Sequence, residues 1–468
     1  MRKLNNDRLF PLDKETRSMA RALYSSVKSL PIISPHGHTD PRWFAENEAF
    51  PNPAQLFITP DHYVFRMLGS QGVSMEDLGV PRIDGGWTET DGRKIWRLFA
   101  KHAYLLRATP SKLWLSHAFE NVFGWTNWIN EDNADAAYDH IAACLEKPEF
   151  RPRALFERFN IEVLSTTESP LDDLKWHRAM RDSGWQGRVV TAYRPDPVVD
   201  PHFKGFVENV ETFGQLTGED TTTWQGYLKA HRVRRAYFKE FGATSSDHGH
   251  LTARTEDLTT AEAEALFQKA LKGECSAEEA DIFRGAMLTE MARMSLDDGL
   301  VLQIHPGSYR NHSNPVFEKF GLDKGFDIPT RTDYVRALKP LLDAVGMEKA
   351  LTIILFTLDE SVYARELAPL AGVYPALRLG PAWWFHDSAE GMRRYREMTT
   401  ETAGFYNTVG FNDDTRAFCS IPARHDVARR VDSAFLATLV ATGRLDEDEA
   451  FEVAHDLAYR LAKQAYRL

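Results

Sequence analysis

Cysteine is scarce in this chain: Cys144, Cys275 and Cys419 are the only three in 468 residues. Their odd number and wide scatter exclude a disulfide framework or a CxxC pair, and fit a reducing cytoplasm. Positive charge is also in deficit, with 56 Lys and Arg against 67 Asp and Glu and a formal net charge of −11. No basic block breaks this balance, so neither nucleic acid nor an anionic membrane is an expected partner. An acidic ligand would need local positive charge set against that overall field. No apolar run approaches the roughly 20 residues of a spanning helix. The first thirty residues carry Asp7, Asp13, Glu15 and several arginines rather than a signal-peptide core. A cytoplasmic protein is expected. Internal repeats and low-complexity tracts are missing too. With 43% hydrophobic and 26% charged residues, core size is not limiting, and the length suits two or three average domains or one large α/β barrel with insertions.

What is present begins with Ile32-Ile33-Ser34-Pro35-His36-Gly37-His38-Thr39-Asp40. Residues two apart on a strand share a face, so His36 and His38 make a half-site for a divalent metal, with zinc the usual occupant. The competing reading is two polar loop residues. Beyond it, residues 41–155 are rich in Trp and Phe, contain helix-like segments at Arg93–Ala103 and Ala134–Leu145, and hold no convincing strand. They read as a helical insertion after strand 1, which divides the chain into 1–40, 41–155 and 156–468. Short apolar runs then alternate with helical patterns, the signature of βα units. The predicted strands are Ile161–Thr167, Arg188–Arg194, Ala243–His248, Gly299–His305, Leu351–Thr357, Tyr374–Gly380 and Thr408–Asp414. Pro340 is expected to bend or divide the helix marked by Val335, Leu338, Leu342 and Val345. Runs such as Leu351–Thr357 are continuously apolar, as parallel strands covered on both faces should be. With Ile32–Thr39 the count is eight, which predicts a (β/α)₈ TIM barrel with the helical insertion after strand 1. A doubly wound sheet is the alternative, weakened by the lack of a Gly-rich phosphate loop after strand 1.

Barrel active sites lie at the C-terminal ends of strands. His36, His38, Arg194, Asp247, His305, Asp414 and Arg416 all fall there. Any one of them could be a solvated or capped strand end, and His305 a hydrogen-bonded core histidine; seven together point to a site. His36, His38 and Asp414 can supply the three ligands of an open metal centre. Arg194 and Arg416 suit an anionic substrate, unless each is absorbed in an ion pair with Asp247 or Asp414.

At this point the chain resembles the uronate (glucuronate) isomerases, an isomerising branch of the amidohydrolase superfamily. The resemblance runs nearly full length. It is carried by Ser34-Pro35-His36-Gly37-His38, Asp61-His62-Tyr63, Thr166–Asp172, Ala192-Tyr193-Arg194-Pro195, Gln303–Gly307, Ala382-Trp383-Trp384-Phe385 and Asp413-Asp414-Thr415-Arg416. It implies interconversion of D-glucuronate with D-fructuronate and of D-galacturonate with D-tagaturonate. It also implies one divalent metal ion, zinc the first choice, on His36, His38 and Asp414, and no organic cofactor. Arg194, Arg416, Trp384 and His62 are implied in substrate binding, and Tyr63, Asp414, His305 and Asp247 in catalysis. The expected partner is a small-molecule uronate, with the chain a homo-oligomer. Tyr63 is the candidate base for proton transfer between C2 and C1 through an enediol. Its reference pKa near 10 would have to be offset by positive charge, by the metal, or by sharing its proton with Asp414. A loop tyrosine that merely packs is the competing reading. A mononuclear metal-dependent hydrolase is the alternative within the superfamily, weakened by the absence of a lysine on strand 4. A non-catalytic sugar-acid binder is the alternative outside it.

Overall fold

A computed structural model describes residues 3–468. Among these residues nine strands occur: β1 (Ile32–Ser34), β2 (Ile161–Glu168), β3 (Val189–Tyr193), β4 (Ser245–His248), β5 (Val301–Ile304), β6 (Ser308–Tyr309), β7 (Ile328–Pro329), β8 (Ile353–Leu355) and β9 (Leu377–Leu379). Seven form one parallel sheet in the order β1-β2-β3-β4-β5-β8-β9, while β6 and β7 pair antiparallel outside it. The central strands are buried on both faces, as their unbroken apolar runs require: Val301, Leu302, Ile304, Ile353 and Ile354 are all buried. Helices such as Ala277–Asp298 and Ile421–Ala441 cover the sheet. Among the described residues, no helix is long and apolar enough to cross a membrane.

The first seven predicted sheet strands are present. The eighth is not a ladder strand. Thr408 makes a single bridge to Leu379, and Val409 N–H donates to Leu379 O at 3.0 Å. At its far end the same segment touches the β1 side, where His38 N–H donates to Thr415 O at 3.1 Å. Gly410 at φ 74° and Asp414 at φ 37° explain the difference. A strand needs continuous negative φ, and these two residues turn the chain into the left-handed region. The sheet therefore curls, with its two edges bridged by a bent segment rather than by a hydrogen-bonded strand.

Residues 41–155 are helical throughout their regular structure, and the predicted pair appears as Gly92–His102 and Ala134–Leu145. Their aromatic content forms a separate core around Phe44, Trp96, Phe99 and Phe119. Pro340 corrects another expectation: it sits in the first turn of the helix Lys339–Val345 and starts that helix rather than kinking it. The first turn has no use for the missing N–H.

Candidate active site

The C-terminal ends of the strands open into a cavity of about 360 Å³. His36 and His38 reach it from the loop after β1, Arg194 from the end of β3 and His305 from the end of β5. Asp414 and Arg416 enter from the bent segment, Trp384 from the loop after β9. The helical segment contributes His62 and Tyr63 at the start of the helix His62–Gly69, whose N-cap Asp61 accepts the Tyr63 N–H at 2.9 Å. Of the predicted residues only Asp247 does not line the cavity; it lies buried behind Arg194 and His305.

His36 and His38 present their Nε2 atoms to the same oxygen of Asp414, at 3.5 and 3.3 Å. Burial pushes the His38 pKa down to about 4, so its ring is neutral at pH 7 and offers a lone pair. Burial alone would raise Asp414, but His36, His38 and His305 outweigh it and hold the carboxyl well below the usual range. Trp383 Nε1 donates to the other Asp414 oxygen at 2.7 Å, fixing the carboxylate in place. Two imidazole nitrogens and one oriented carboxylate oxygen fit a divalent ion with open positions. His36, Asp247 and His305 form an overlapping donor group, but it shares His36 with the first, and its His305 Nδ1 is already engaged with Asp247.

That engagement orders the rest of the site. Asp247 accepts from His305 Nδ1 at 2.6 Å and pairs with Arg194 Nη1 at 3.1 Å. Burial would raise the Asp247 pKa; Arg194 and His305 overcome it and hold the carboxyl ionised. The His305 nitrogen facing an ionised carboxylate carries the proton, which leaves Nε2 as a lone pair. That atom is buried with no protein partner. Burial also lowers the His305 pKa, so the ring is neutral. Arg194 bonds Asp196 as well, through Nε at 2.9 Å. The ion pair with Asp247, the competing reading for this arginine, is thus present, although the guanidinium still lines the cavity. Arg416 is paired with Asp323 at 2.7 Å rather than with Asp414.

Tyr63 differs from expectation in its partner. Its hydroxyl donates to Asp387 Oδ2 at 2.8 Å, not to Asp414. Arg424 Nη1 donates to the same oxygen at 2.8 Å, and its guanidinium stacks on Trp114. Burial and the Asp387 charge push the Tyr63 phenol well above 10, and Arg424 only partly opposes them. The resting side chain is therefore a neutral phenol poised against a carboxylate. His62 is also neutral, lowered by burial to about 3, and packs edge-on to Trp384 with ring centroids 5.0 Å apart.

Asp387, Arg424, Arg310 and Asp323 went unrecognised in the sequence, and Trp383 was named there without a role in the site. Arg310 lines the cavity and pairs with Asp327 at 3.0 Å. A signal existed for Trp383, which stands beside Trp384. For Asp387 and Arg424 there was none, because their contact with Tyr63 spans more than 300 residues.

A family model described as glucuronate isomerase matches residues 1–466. A uronate isomerase of Rhizobium meliloti is 68% identical over 465 residues, covering 99% of both chains. One from Mesorhizobium japonicum is 69% identical over 462 residues, covering 99% of this chain and 98% of that one. The crystal structure of a glucuronate isomerase from Caulobacter crescentus superposes with a TM-score of 0.98 at 60% identity, over 99% of this chain and 97% of that one. The chain belongs to the glucuronate (uronate) isomerase family.

Proposed function

We propose that this enzyme interconverts an aldose uronate and its ketose, D-glucuronate with D-fructuronate and D-galacturonate with D-tagaturonate, by moving a proton between C2 and C1. The observation that carries the reading is one cavity in which a His-His-Asp donor set faces arginines, next to two separate hydrogen-bonded acid–base pairs. His36, His38 and Asp414 would hold one divalent ion, zinc being the first choice. When bound, such an ion polarises sugar oxygens and stabilises charge that develops on them. The bent segment 408–416 takes the place of the eighth strand in a (β/α)₈ barrel, which brings Asp414 beside the histidines of strand 1.

Isomerisation sets two proton tasks. One proton leaves C2 and returns to C1; another leaves the hydroxyl on O2 and reaches O1. The Tyr63–Asp387 pair suits the carbon task. As the phenol oxygen takes the C2 proton, its own proton passes to Asp387, and the C–H electrons become the C1–C2 double bond of the enediol. Arg424, which donates to Asp387 and lies over the Tyr63 ring, stabilises the single negative charge shared by this pair and limits the cost of a group whose pKa is otherwise raised. His305 suits the oxygen task. Its free Nε2 accepts the O2 proton and delivers it to O1, while Asp247 stabilises the imidazolium between the two events. Asp247 thus acts as a positioning residue. Arg194 and Arg416 bind the substrate carboxylate, exchanging part of their contact with Asp196 and Asp323 for it, and His62 and Trp384 form the wall on which the sugar rests.

Purified enzyme with glucuronate in deuterated water should yield ketose carrying solvent deuterium at C1. Tyr63→Phe should lose about 10²–10⁴ in kcat with little change in KM. Complete retention of the original hydrogen, together with near-normal turnover of Tyr63→Phe, would overturn the proton route.

A further inference from the structure

The motif that organises the first strand occurs twice. His36-Gly37-His38 follows β1, and His248-Gly249-His250 begins on the last residue of β4. Each pair sets its rings nearly at right angles: 83° with centroids 5.3 Å apart in the first, 87° and 5.9 Å in the second. Each also has a carboxylate from another part of the chain. For the second pair it is Asp196, and donor atoms of Asp196, His248 and His250 lie within 4.8 Å of one another.

His250 is 4% exposed, yet neither of its ring nitrogens has a partner. An imidazole always carries an N–H or a lone pair at each nitrogen, and burying both unmatched is unfavourable unless a ligand completes them. The neighbouring charge is mixed, with carboxylates near His250 and the Arg194 and Arg310 guanidiniums on the Gly249 side. Asp196, Asp200 and Asp281 act on His250, against Arg284, and Arg284 is itself bonded to Asp200 at 2.7 Å and Asp281 at 3.2 Å. Asp196 is held ionised chiefly by Arg194, against the effect of burial. Gly249 matters here as well, because a Cβ at this position would meet Arg194 and Arg310 nitrogens at 2.5 and 2.8 Å and an Asp196 oxygen at 3.0 Å. Glycine leaves room for that carboxylate against the loop joining the two histidines, where the Gly249 N–H donates to Asp196 Oδ1 at 3.1 Å.

We propose that Asp196, His248 and His250 form a second divalent-metal site, of the nitrogen-and-oxygen type that takes zinc or a neighbouring first-row ion. It lies behind the cavity wall. Asp196 lines the cavity and bonds Arg194, whereas the two histidines do not line it. The site does not depend on the isomerase reading, since metal content is measured without substrate.

Full-length enzyme stripped of metal, then equilibrated with excess Zn²⁺ and desalted, should retain two Zn²⁺ per chain by elemental analysis. His250→Asn and Asp196→Asn should each retain one, as should Asp414→Asn, and the double variant His250→Asn/Asp414→Asn none. Crystals of the wild type soaked in Zn²⁺ should show an anomalous peak against His250, a measurement that needs no variant to fold. One Zn²⁺ per chain in the wild type, unchanged by His250→Asn, would overturn the proposal. An ordered water at His250 with no anomalous signal in the zinc-soaked crystal would do the same.

Discussion

Burial serves opposite ends in the aromatic helical segment and at the mouth of the sheet. Trp96, Phe44, Phe99 and Phe119 are almost fully buried, and so are His36, Asp247 and His305. In the first group burial removes apolar area from water and stabilises the fold. In the second it desolvates charge, which costs stability and is offset only by specific partners. The two regions meet in the helix His62–Gly69. Its Val64, Phe65 and Leu68 belong to the aromatic core, while Tyr63 at its start faces Asp387. The Tyr63 phenol is thus carried on an apolar base, and its charged neighbours Asp387 and Arg424 come from the other side. If this division is right, changes at the mouth should cost activity more than stability, and changes in the helical segment the reverse.

After Tyr63→Phe, the largest effect should come from Asp247→Asn. The swap keeps size but removes the charge that orients His305 and holds Arg194. We expect kcat/KM to fall by about 10²–10³ or more, with the folded far-UV spectrum retained. Unfolding as the main consequence would break the comparison at once. The mirror experiment is Trp96→Ala, which empties a site whose indole also donates to Ala134 O at 3.0 Å. It should cost about 3–5 kcal/mol of stability in denaturant unfolding. The fraction that remains folded should turn over at close to the normal rate. A loss of kcat comparable to that of Asp247→Asn in folded protein would mean that the two regions are not separable.

How much of this was legible beforehand follows from the range of the interactions. The runs at β5 and β8 were readable because burial on both faces writes itself into consecutive residues. His36, His38 and Asp414 were readable because strand ends concentrate chemistry. The eighth strand was misread because Thr408–Asp414 has strand composition, whereas Gly410 and Asp414 adopt positive φ, which composition does not encode. Of the readings for Tyr63, positive charge is present as Arg424, while the adjacent carboxylate is Asp387 rather than Asp414, for a different reason. Asp387 and Asp414 are both distant carboxylates, and only the packing of Arg424 and Trp114 around Tyr63 selects between them.

Glu168, at the end of β2, offers a finer test, since it is largely buried and burial lowers its neighbour His177, 3.9 Å away, to about 4. Burial raises Glu168 to about 8, although Thr191 and Thr166 hydroxyls donate to it. Below pH about 4.5 the folded and unfolded states both hold this proton, and Glu168 adds no pH dependence. As pH rises from there through about 8, only the folded state keeps it, so its contribution to stability falls by an amount on the order of a few kcal/mol. Glu168→Gln should remove that slope and be more stable than the wild type at pH 9, relative to pH 5, in paired denaturant titrations. Parallel curves for the two proteins across this range would show that the carboxylate is not desolvated.

The smallest effect is expected one residue from one of the largest. Arg97 follows Trp96 on the helix Gly92–His102 but points to solvent, where it forms a two-pronged pair with Asp135, both bonds at 2.8 Å. The Arg97 side chain is 55% exposed and that of Asp135 51%. In water the attraction of such a pair is screened, and it is opposed by the entropy of holding a long side chain still. Asp135 also keeps a contact with Arg93 at 3.3 Å when Arg97 is gone. Arg97→Ala should therefore leave the melting temperature and kcat/KM unchanged within error, and should add no salt dependence to either. A clear drop in melting temperature that high salt reproduces in the wild type would show that surface charge, rather than the buried aromatic face of the same helix, holds this segment in place. The contrast between Trp96 and Arg97 would then have to be drawn in terms of charge networks instead of burial.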